Sequence, residues 1–546
     1  METRKEIKFC LNFNDVFEIK KILMNYITPD KYCNKYGYYN INTKYICNIK
    51  DSDISGKFRL RTYNDAEFLE FKYKENKLKK KIRVKINDLN TYKYLVNINN
   101  SSDFIGILKK INFPIIPDAQ SMNFGFIEID YIREAYNCIY DNDNFRITFD
   151  YNIISSGEII NKDICIFEIK GEKVEKIEKL LSFILRNKRS KFSKYKFAKK
   201  HKCLFTNPFN ELLDSMSTSK YFYEYMKYNM NYFLLDKVKN NKELYEKIQF
   251  LLYRQIQLDR IFHNIICSIP NEYREYLIGI KGFFIEQYYD VPRLYGDVDF
   301  IVVQGKTFKF VKYILSKGYS VKKYKSLPFY NNIYFLNIFK EQYIKLLHSF
   351  ELQKTFCVCN ENVDIEIDIQ NKFYPFDKNK KENNGFLELD FFNYFLYLVK
   401  HIMQHLLFIT PSEKNLQINL QKLYDLYIIV EKNASEYNER KLISIAKSKK
   451  MIPDLLYVLN IYTKVFKYSN VKININNILM HYNENECSWS KILNVSFKMN
   501  VSDVILGDFT KTEMYKLNEF LEQNYNSNNQ LFYEFKCKKL LRDLNK

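Results

Sequence analysis

The sequence has no cysteine arrangement of the kind that holds zinc or builds a disulfide framework. Its eleven cysteines are scattered over 546 residues, and the closest pair, Cys357 and Cys359, has no second pair at ligand spacing. Reduced thiols and a cytoplasmic address are the expectation. METRKEIKF at the N-terminus carries no apolar h-region, so no secretory signal is expected. Long hydrophobic runs are missing too. The most apolar helix candidate, Phe391 to Ile409, is interrupted by Asn393, Lys400, His401, Gln404 and His405, so no transmembrane segment is expected. His401 and His405 stand four apart, a spacing zinc can use, but no Glu follows His401. The metalloprotease pattern is therefore excluded, and these read as core or substrate-facing histidines. Acidic residues are in deficit, with 64 Asp+Glu against 85 Lys+Arg and a formal net charge of +21.

What is present points to a globular chain. Hydrophobic residues make up 46% and aromatic residues 17%, too many for a disordered protein. The length predicts two to four domains. The acidic deficit is steepest at the front: residues 1–205 hold 39 Lys+Arg against 26 Asp+Glu, the remainder 46 against 38. The first third is the candidate for binding a polyanion.

Within it, Lys57 to Ile86 alternates with period two in three runs. Lys57, Arg59 and Arg61 oppose Phe58 and Leu60. Glu70, Lys72 and Lys74 oppose Leu69, Phe71 and Tyr73. Lys81, Arg83 and Lys85 oppose Ile82, Val84 and Ile86. Successive strand side chains point to opposite faces, so each run predicts a strand with one ionic and one apolar face. Like charges side by side destabilise a sheet, and a polyanion would compensate. The pattern recurs at Arg4–Lys8, at Tyr131 and Arg133, at Arg146–Asp150 and at Glu168–Lys170. Helices are expected over about Asn14 to Tyr26, over 88–113 and from Val174 to Arg186, and a strand over Tyr38–Ile49. A sheet that closes with its charged faces inward predicts a barrel with a wet cationic lumen and helices over its apolar exterior. A nucleic-acid binder would interleave exposed aromatics with its cations. Here Phe58, Phe71 and Tyr73 lie opposite the charges, so no specific nucleic acid is predicted.

The series R-x-E-x-K, R-x-R-x-Y, E-x-K, Y-x-R, R-x-T-x-D, E-x-K and S-K-Y over about residues 1–200 resembles the VTC polyphosphate polymerase domain of the CYTH, or triphosphate tunnel, superfamily. The resemblance implies that Lys8, Arg59, Arg61, Lys72, Lys85, Arg133, Arg146, Lys191 and Lys194 line a tunnel that holds phosphates, with Tyr131 and Lys170 beside them. It implies that Glu168 holds a divalent metal, Mg2+ or Mn2+. Where the family has an S-L-Y-F-D-like strand, this chain reads INTKYICNI at 41–49. Phosphoryl transfer needs charge neutralisation and in-line positioning, which arginines and a metal supply. Polyphosphate made from ATP is the implied activity.

The second half carries a different pattern. After a linker at 203–215 and helices from about Tyr221 to Ser268, the chain reads EYLIGIKGFFIEQYYDVPRLYGDVDFIVV. Asp297 and Asp299 are two apart on a predicted strand after a turn at Gly296, so both carboxylates face one way, as a divalent metal with substrate phosphates would need. VDIEIDI at 363–369 puts Asp364, Glu366 and Asp368 on one face, and an antiparallel pairing with the DVDF strand would bring one of them, taken as Asp368, to the metal. This region resembles the nucleotidyltransferase fold of the DNA polymerase β type. It is most similar to an uncharacterised bacterial nucleotidyltransferase family with an L-K-G…R-x-x-G-D-[IV]-D pattern, here Ile280, Lys281, Gly282, Arg293, Gly296, Asp297 and Asp299. Asp368-Ile369-Gln370 and the helix L-Q-K-L-Y-D-L, ending near Asp425, match later family elements. Lys-Gly replaces the Gly-Ser of classical members, and Gln370 stands where His is common. The resemblance implies transfer of a nucleotidyl group from ATP or another NTP to an unknown acceptor. Lys281, Gly282, Arg293 and Gly296 would bind substrate.

The expected architecture is α+β. An antiparallel β tunnel covered by helices spans 1–204, a nucleotidyltransferase-like α/β domain with preceding helices spans 205–385, and a helical region spans 386–546, with 434–546 expected to be helical and polar. Two alternatives stand beside the two-enzyme reading: a non-catalytic polyphosphate or nucleotide sensor that controls the transferase, and a non-enzymatic polyanion binder.

Overall fold

The computed structural model of the protein describes residues 5–51, 54–63, 66–75, 78–155, 158–161, 164–200, 207–219, 222–303, 305–321, 349–359, 361–370, 382–383, 385–408, 418–482 and 501–506. Arg4, Lys77 and the chain beyond Leu506 lie outside the described residues, as do the side chains of Lys79 and His405. The chain divides into two compact units. One comprises 1–206, 249–260 and 290–292; the other comprises 207–248, 261–289 and 293–546. The sequence segments 205–385 and 386–546 thus fall mostly together in the second unit. No helix among the described residues is long and apolar enough to cross a membrane.

The first unit is built on one antiparallel ten-stranded sheet. Its strands are β1 (Lys5–Leu11), β2 (Ile27–Pro29), β3 (Tyr38–Lys50), β4 (Ile54–Tyr63), β5 (Ala66–Glu75), β6 (Leu78–Ile86), β7 (Met122–Tyr140), β8 (Asp143–Ser155), β9 (Glu158–Asn161) and β10 (Cys165–Gly171). The order is β1-β10-β8-β7-β3-β4-β5-β6, with β2 on β7 and β9 on β8. The three alternating runs are thus β4, β5 and β6, side by side as expected. On one face Phe58, Leu60, Leu69, Phe71 and Ile86 are buried. They pack with Leu95 of helix α2 (Leu89–Asn97) and with Phe104 and Leu108 of α3 (Ser101–Lys110). Phe58 and Phe71 stack at 4.1 Å. Asp88 and Asn100 start these helices by accepting backbone N–H bonds. The other face carries the ions.

That ionic face curls upon itself. Lys72 on β5 lies within electrostatic reach of Glu6, Lys8 and Lys170, which stand on β1 and β10 at the far end of the strand order. β1 and β6 end that order and, among the described residues, do not pair with each other. The curl is therefore not sealed by a ladder as a closed barrel would be.

Local boundaries moved where the chain had to turn. Helix α1 runs from Phe13 to Leu23, held at its start by a capping box between Asn12 and Asp15, and stops before Tyr26 because β2 begins at Ile27. The expected helix from Val174 to Arg186 is two short ones, α4 (Val174–Leu180) and α5 (Ser182–Leu185), because Leu181 takes φ −98° and ψ 11°, outside the helical well.

The second unit starts helically. Helix α7 (Asn210–Met216) occupies part of the expected linker, followed by α8 (Phe222–Tyr228) and the 27-residue α9 (Lys242–Ser268), of which residues 249–260 belong to the first unit, then the short α10 (Asn271–Arg274). Its mixed sheet contains β11 (Leu277–Ile280), β12 (Asp297–Val302), β13 (Ser320–Val321), β14 (Ser349–Val358), β15 (Glu361–Gln370), β16 (Glu382–Asn383) and β17 (Phe386–Leu387), in the order β13-β14-β15-β12-β11-β17-β16. Helix α11 (Gly282–Glu286) follows β11, and α12 (Thr307–Ser316) follows β12.

One expectation is corrected here. β15, the VDIEIDI strand, pairs with β12 in parallel and not antiparallel. β15 returns antiparallel from β14, and the order in which the sheet places β14, β15 and β12 leaves β15 running with β12. Nor is the C-terminal region uniformly polar. The helix Ile452–Val465 is buried at every position from Ile452 to Tyr462, since IPDLLYVLNIY is apolar nearly all round.

Candidate functional sites

The ionic face of the first unit is organised by three buried carboxylates. Arg59, Glu70 and Arg83 are directly opposed on β4, β5 and β6. Glu70 is fully buried. It accepts from Arg59 Nε at 2.7 Å and from Arg83 Nε at 2.7 Å, and pairs with Lys81 at 2.6 Å and Arg61 at 3.7 Å. Burial alone would raise its pKa, but Arg61, Arg59 and Lys81 hold it well below the usual carboxylate range. Four cations share one negative charge.

The next row, Lys57–Lys72–Lys81, opposes three ammonium groups with no carboxylate between them. Burial, with Lys199 and Lys196 nearby, lowers Lys57 to about 8. Burial likewise lowers Lys81 to about 8 against the pull of Glu70, and it lowers Lys72. A row of ammonium groups whose charged form is disfavoured is what an anion would relieve.

The second and third carboxylates are Asp150 on β8 and Glu168 on β10. Arg133 grips Asp150 through Nε at 2.5 Å and Nη2 at 2.7 Å. Lys194, at the start of helix α6 (Lys194–Lys200), pairs with the same carboxylate and lies 4.5 Å from the ring centre of the buried Tyr131. Glu168 meets Lys8 at 2.6 Å, Lys170 at 2.9 Å and Arg133 at 3.8 Å. Burial raises both acids, but Arg133 leads a set of cations that overrides it, and both sit below their ordinary values. Thr148, paired with Glu168 across the ladder, keeps a buried hydroxyl with no hydrogen-bond partner.

Lys8, Arg133, Lys170, Lys194, Tyr131 and Glu168 therefore come together, and Arg59 and Arg61 form a second group around Glu70. Arg61 and Arg133 lie within electrostatic reach of each other, which brings the two groups together on the curled ionic face. Lys72 stands across from Lys8 and Lys170. Arg146 is half-exposed and pairs with Asp30 at 3.0 Å. Lys85 and Lys191 are exposed. The 41–49 strand, despite its departure from the family pattern, contributes Thr43, which accepts from Arg61 Nε at 3.0 Å. Tyr63, Glu70, Lys81 and Arg83 are additions to the residues singled out from the sequence. They lie in the same alternating runs, and the signal for Glu70 was an acid set among cations.

In the second unit, Asp299 on β12 is directly beside Asp368 on the parallel β15. Asp299 is 1% exposed and lies 2.5 Å from the Lys281 ammonium. Burial and the neighbouring Asp297 and Asp368 hold Asp299 well above the usual range despite that lysine. Burial, Glu351 and Asp297 push Asp368 up to about 6 against the pull of Lys281, and its buried Oδ1 has no hydrogen-bond partner among the described residues. Gly282 sits at φ +40°, and a Cβ there would lie 2.8 Å from the Asp297 carbonyl oxygen, so this close approach requires glycine. Lys281 itself is held at φ +51°. A non-glycine residue in that region stores strain, a mark of functional sites.

Arg293 is buried with its fork on Asp425, Nε at 2.8 Å and Nη2 at 2.7 Å, while Tyr289 donates its hydroxyl to the same carboxylate. Among the described residues its Nη1 has no hydrogen-bond partner. Gln421, on the helix Leu420–Lys432, clamps the Leu294 backbone by donating Nε2 to its carbonyl and accepting its N–H. Gly296 is exposed with open space where a side chain would go. His401 is half-buried and stacks on Tyr397 at 6.3 Å. Lys422 was passed over in the sequence, although its i, i+3 spacing to Asp425 was visible. Burial, with Lys281 and Arg293 nearby, brings it down to about 7 against Asp425 and Asp297.

Among the described residues no group of three or more His, Cys, Asp or Glu stands ready as a metal cage. The Oδ1 of Asp368, unpartnered among the described residues, and the raised Asp299 beside it suit a divalent cation whose remaining ligands come from a substrate. Glu168 differs, because Lys8 and Lys170 already satisfy it.

Residues 3–201 match the model of the VTC domain. This match bears out the resemblance read from the R-x-E-x-K to S-K-Y series, over nearly the same residues. No curated protein matches the chain. Among solved structures, the PH1819 protein of Pyrococcus horikoshii is 16% identical, with 36% of this chain and 98% of that one covered, at a TM-score of 0.23. The inorganic triphosphatase NE1496 is 13% identical, with 35% and 86% covered, at 0.16. JHP933 of Helicobacter pylori is 12% identical, with 50% and 97% covered, at 0.22. Scores this low define neither a shared fold nor a shared activity.

Proposed function

We propose that the first unit binds a tri- or polyphosphate on its curled ionic face and transfers the terminal phosphoryl group of ATP to a polyphosphate end. The observation that carries this is the charge imbalance around Glu70: Arg59, Arg61, Lys81 and Arg83 converge on one carboxylate, and the ladder sets Lys57, Lys72 and Lys81 side by side in the next row. Arginine forks match phosphate oxygens and remain charged at any working pH. Their role is to hold the chain in line and offset the charge of the transition state, where most of the catalysis of phosphoryl transfer lies.

The second unit is proposed as a nucleotidyltransferase. Asp297, Asp299 and Asp368 would hold Mg2+ or Mn2+, which neutralises nucleotide phosphate oxygens when bound. Lys281, which pairs with Asp299, would be free to address substrate phosphate where a cation is held by the aspartates. Gly282 lets the backbone approach Asp297, and Arg293 with Asp425 fixes the segment leading into β12.

A second reading is favoured by Glu168. Its pairing with Lys8 and Lys170 means that a metal there must displace two lysines, which suits a tunnel that binds polyphosphate as a sensor without turning it over. One experiment separates the readings. Purified protein is incubated with Mn2+ and ATP labelled at the γ or, separately, the α phosphate. The polymerase reading expects a long acid-labile polymer from the γ label, lost in Arg61→Ala. The transferase reading expects α label on an acceptor, lost in Asp299→Asn. Binding of polyphosphate without polymer would establish the sensor, and absence of α transfer would remove the second activity.

A further inference from the structure

Tyr63 ends β4, two residues beyond Arg61 and on the same face. Its ring packs edge-on against Tyr39 of β3 at 6.0 Å and Phe68 of β5 at 5.9 Å. Its phenol oxygen accepts from Arg61 Nη1 at 3.1 Å and from Arg83 Nη2 at 2.9 Å. These arginines come from β4 and β6, with β5 between them. Each is anchored again through Nε, Arg61 on Thr43 at 3.0 Å and Arg83 on Glu70 at 2.7 Å. Two points of attachment fix the plane of a guanidinium, and a fixed plane is what bidentate recognition of phosphate needs. A phenol oxygen that accepts two N–H bonds turns its own proton away from both donors, so that proton is available to a further acceptor.

We infer that Tyr63 is a positioning residue of the phosphate site, yoking Arg61 and Arg83 so that both guanidinium groups address one phosphate of a tri- or polyphosphate, with its own hydroxyl as an added donor. This rests on the phosphate-tunnel reading and brings Arg83 into the site.

The arrangement has a pH consequence. The groups facing the phenol are Arg61 on β4, Glu70 on β5, Arg83 on β6 and Arg133 on β7, with the rings of Tyr39 and Phe68 against its own. Burial pushes the phenol up, but Arg61, Arg133 and Arg83 outweigh both burial and Glu70, and it falls to about 7. Below that value the phenol is neutral and both arginines are free for phosphate. Above it a phenolate pairs with them and competes with the ligand. A phosphate ligand's own ionisation works the other way, strengthening binding as pH rises. The difference between wild type and Tyr63→Phe therefore isolates the phenol.

The test is calorimetric titration of inorganic tripolyphosphate into the full-length chain, wild type, Tyr63→Phe and Arg83→Gln, from about pH 6 to about pH 8.5, with circular dichroism on each variant. At the acid end both variants are expected to bind roughly 3- to 10-fold more weakly, the loss of one or two charge-assisted bonds. Across the range wild type is expected to lose roughly ten-fold relative to Tyr63→Phe, about the effect of one charge near a dianion. Superimposable wild-type and Tyr63→Phe affinities at every pH would overturn the inference and leave the tunnel reading intact. If Tyr63→Phe does not fold, Arg83→Gln decides, and an unchanged affinity overturns the inference. Failure of wild type to bind tripolyphosphate at all takes the tunnel reading down with it.

Discussion

Asp150 and Asp299 are both buried aspartates on sheet strands, 0% and 1% exposed. Both have a cation in direct contact. Yet Asp150 is held below its ordinary pKa and Asp299 is held above it. Burial raises both. The difference is the count of neighbours by sign. Asp150 has Arg133 and Lys194 against the more distant Glu168. Asp299 has Lys281 against Asp297 and Asp368. The ionic face of the first unit carries more cations than its acids can neutralise, and the Asp297, Asp299 and Asp368 cluster of the second carries more acids than Lys281 can offset. Each imbalance names its missing partner, an anion in one case and a cation in the other.

The contrast can be broken most directly by mutation. Arg61→Ala is expected to weaken tripolyphosphate binding by about 100-fold, near 2.7 kcal/mol, because a buried bidentate cation is removed from the anion site. Asp299→Asn is expected to lower α-label transfer by about 1,000-fold or more. Each should leave the other readout within about two-fold. Cross-talk larger than that, measured in parallel labelling and calorimetry, would mean that the two imbalances are not independent.

Gly282→Ala is a smaller perturbation. Its Cβ meets the Asp297 carbonyl at 2.8 Å and its backbone stays at φ +40°. A cost of roughly 1–3 kcal/mol is expected in a urea midpoint, with α transfer falling far more than polyphosphate binding. Equal losses in both would argue that the glycine serves only folding.

The smallest effect is the pH dependence of stability. Glu70, Asp150 and Glu168 have lowered folded pKa values, so their contribution is complete above the unfolded value near 4 and is lost as pH falls below it, toward their folded values. Asp368 is raised to about 6, so the folded chain holds the extra proton, and stability falls as pH rises from about 4 to about 6. Urea midpoints in that window should therefore decline less steeply in Asp368→Asn, and also with Mn2+ added to wild type. A slope that neither change alters would contradict the crowded-acid account of the second unit.

Much of the first unit was legible because period-two alternation is a local property. Lys57, Arg59 and Arg61 had to share a face once Phe58 and Leu60 were buried, and the VTC match follows the same residues. Tyr63 was visible in the R-x-R-x-Y run, but its role depends on Arg83, twenty residues away on β6. In the second unit, the same-face placement of Asp297 and Asp299 followed from their spacing. The partner strand's direction did not, because VDIEIDI has the same alternation read either way. Its path is decided by the return from β14. The spacing of Lys422 to Asp425 was equally visible, but a lysine brought to about 7 is a product of its surroundings.

The sequence by itself determined which residues point together along each strand, since side-chain alternation is built into the backbone. It also determined where cations outnumber acids. The tertiary structure alone decided which charged side chain meets which. Those meetings depend on ladder register between segments far apart in the chain: Arg133 with Asp150, Lys8 with Glu168, Asp299 with Asp368. A one-residue slip would turn every such side chain to the opposite face. The sign of each site's imbalance, and so the charge of the ligand each unit calls for, is a property of that register.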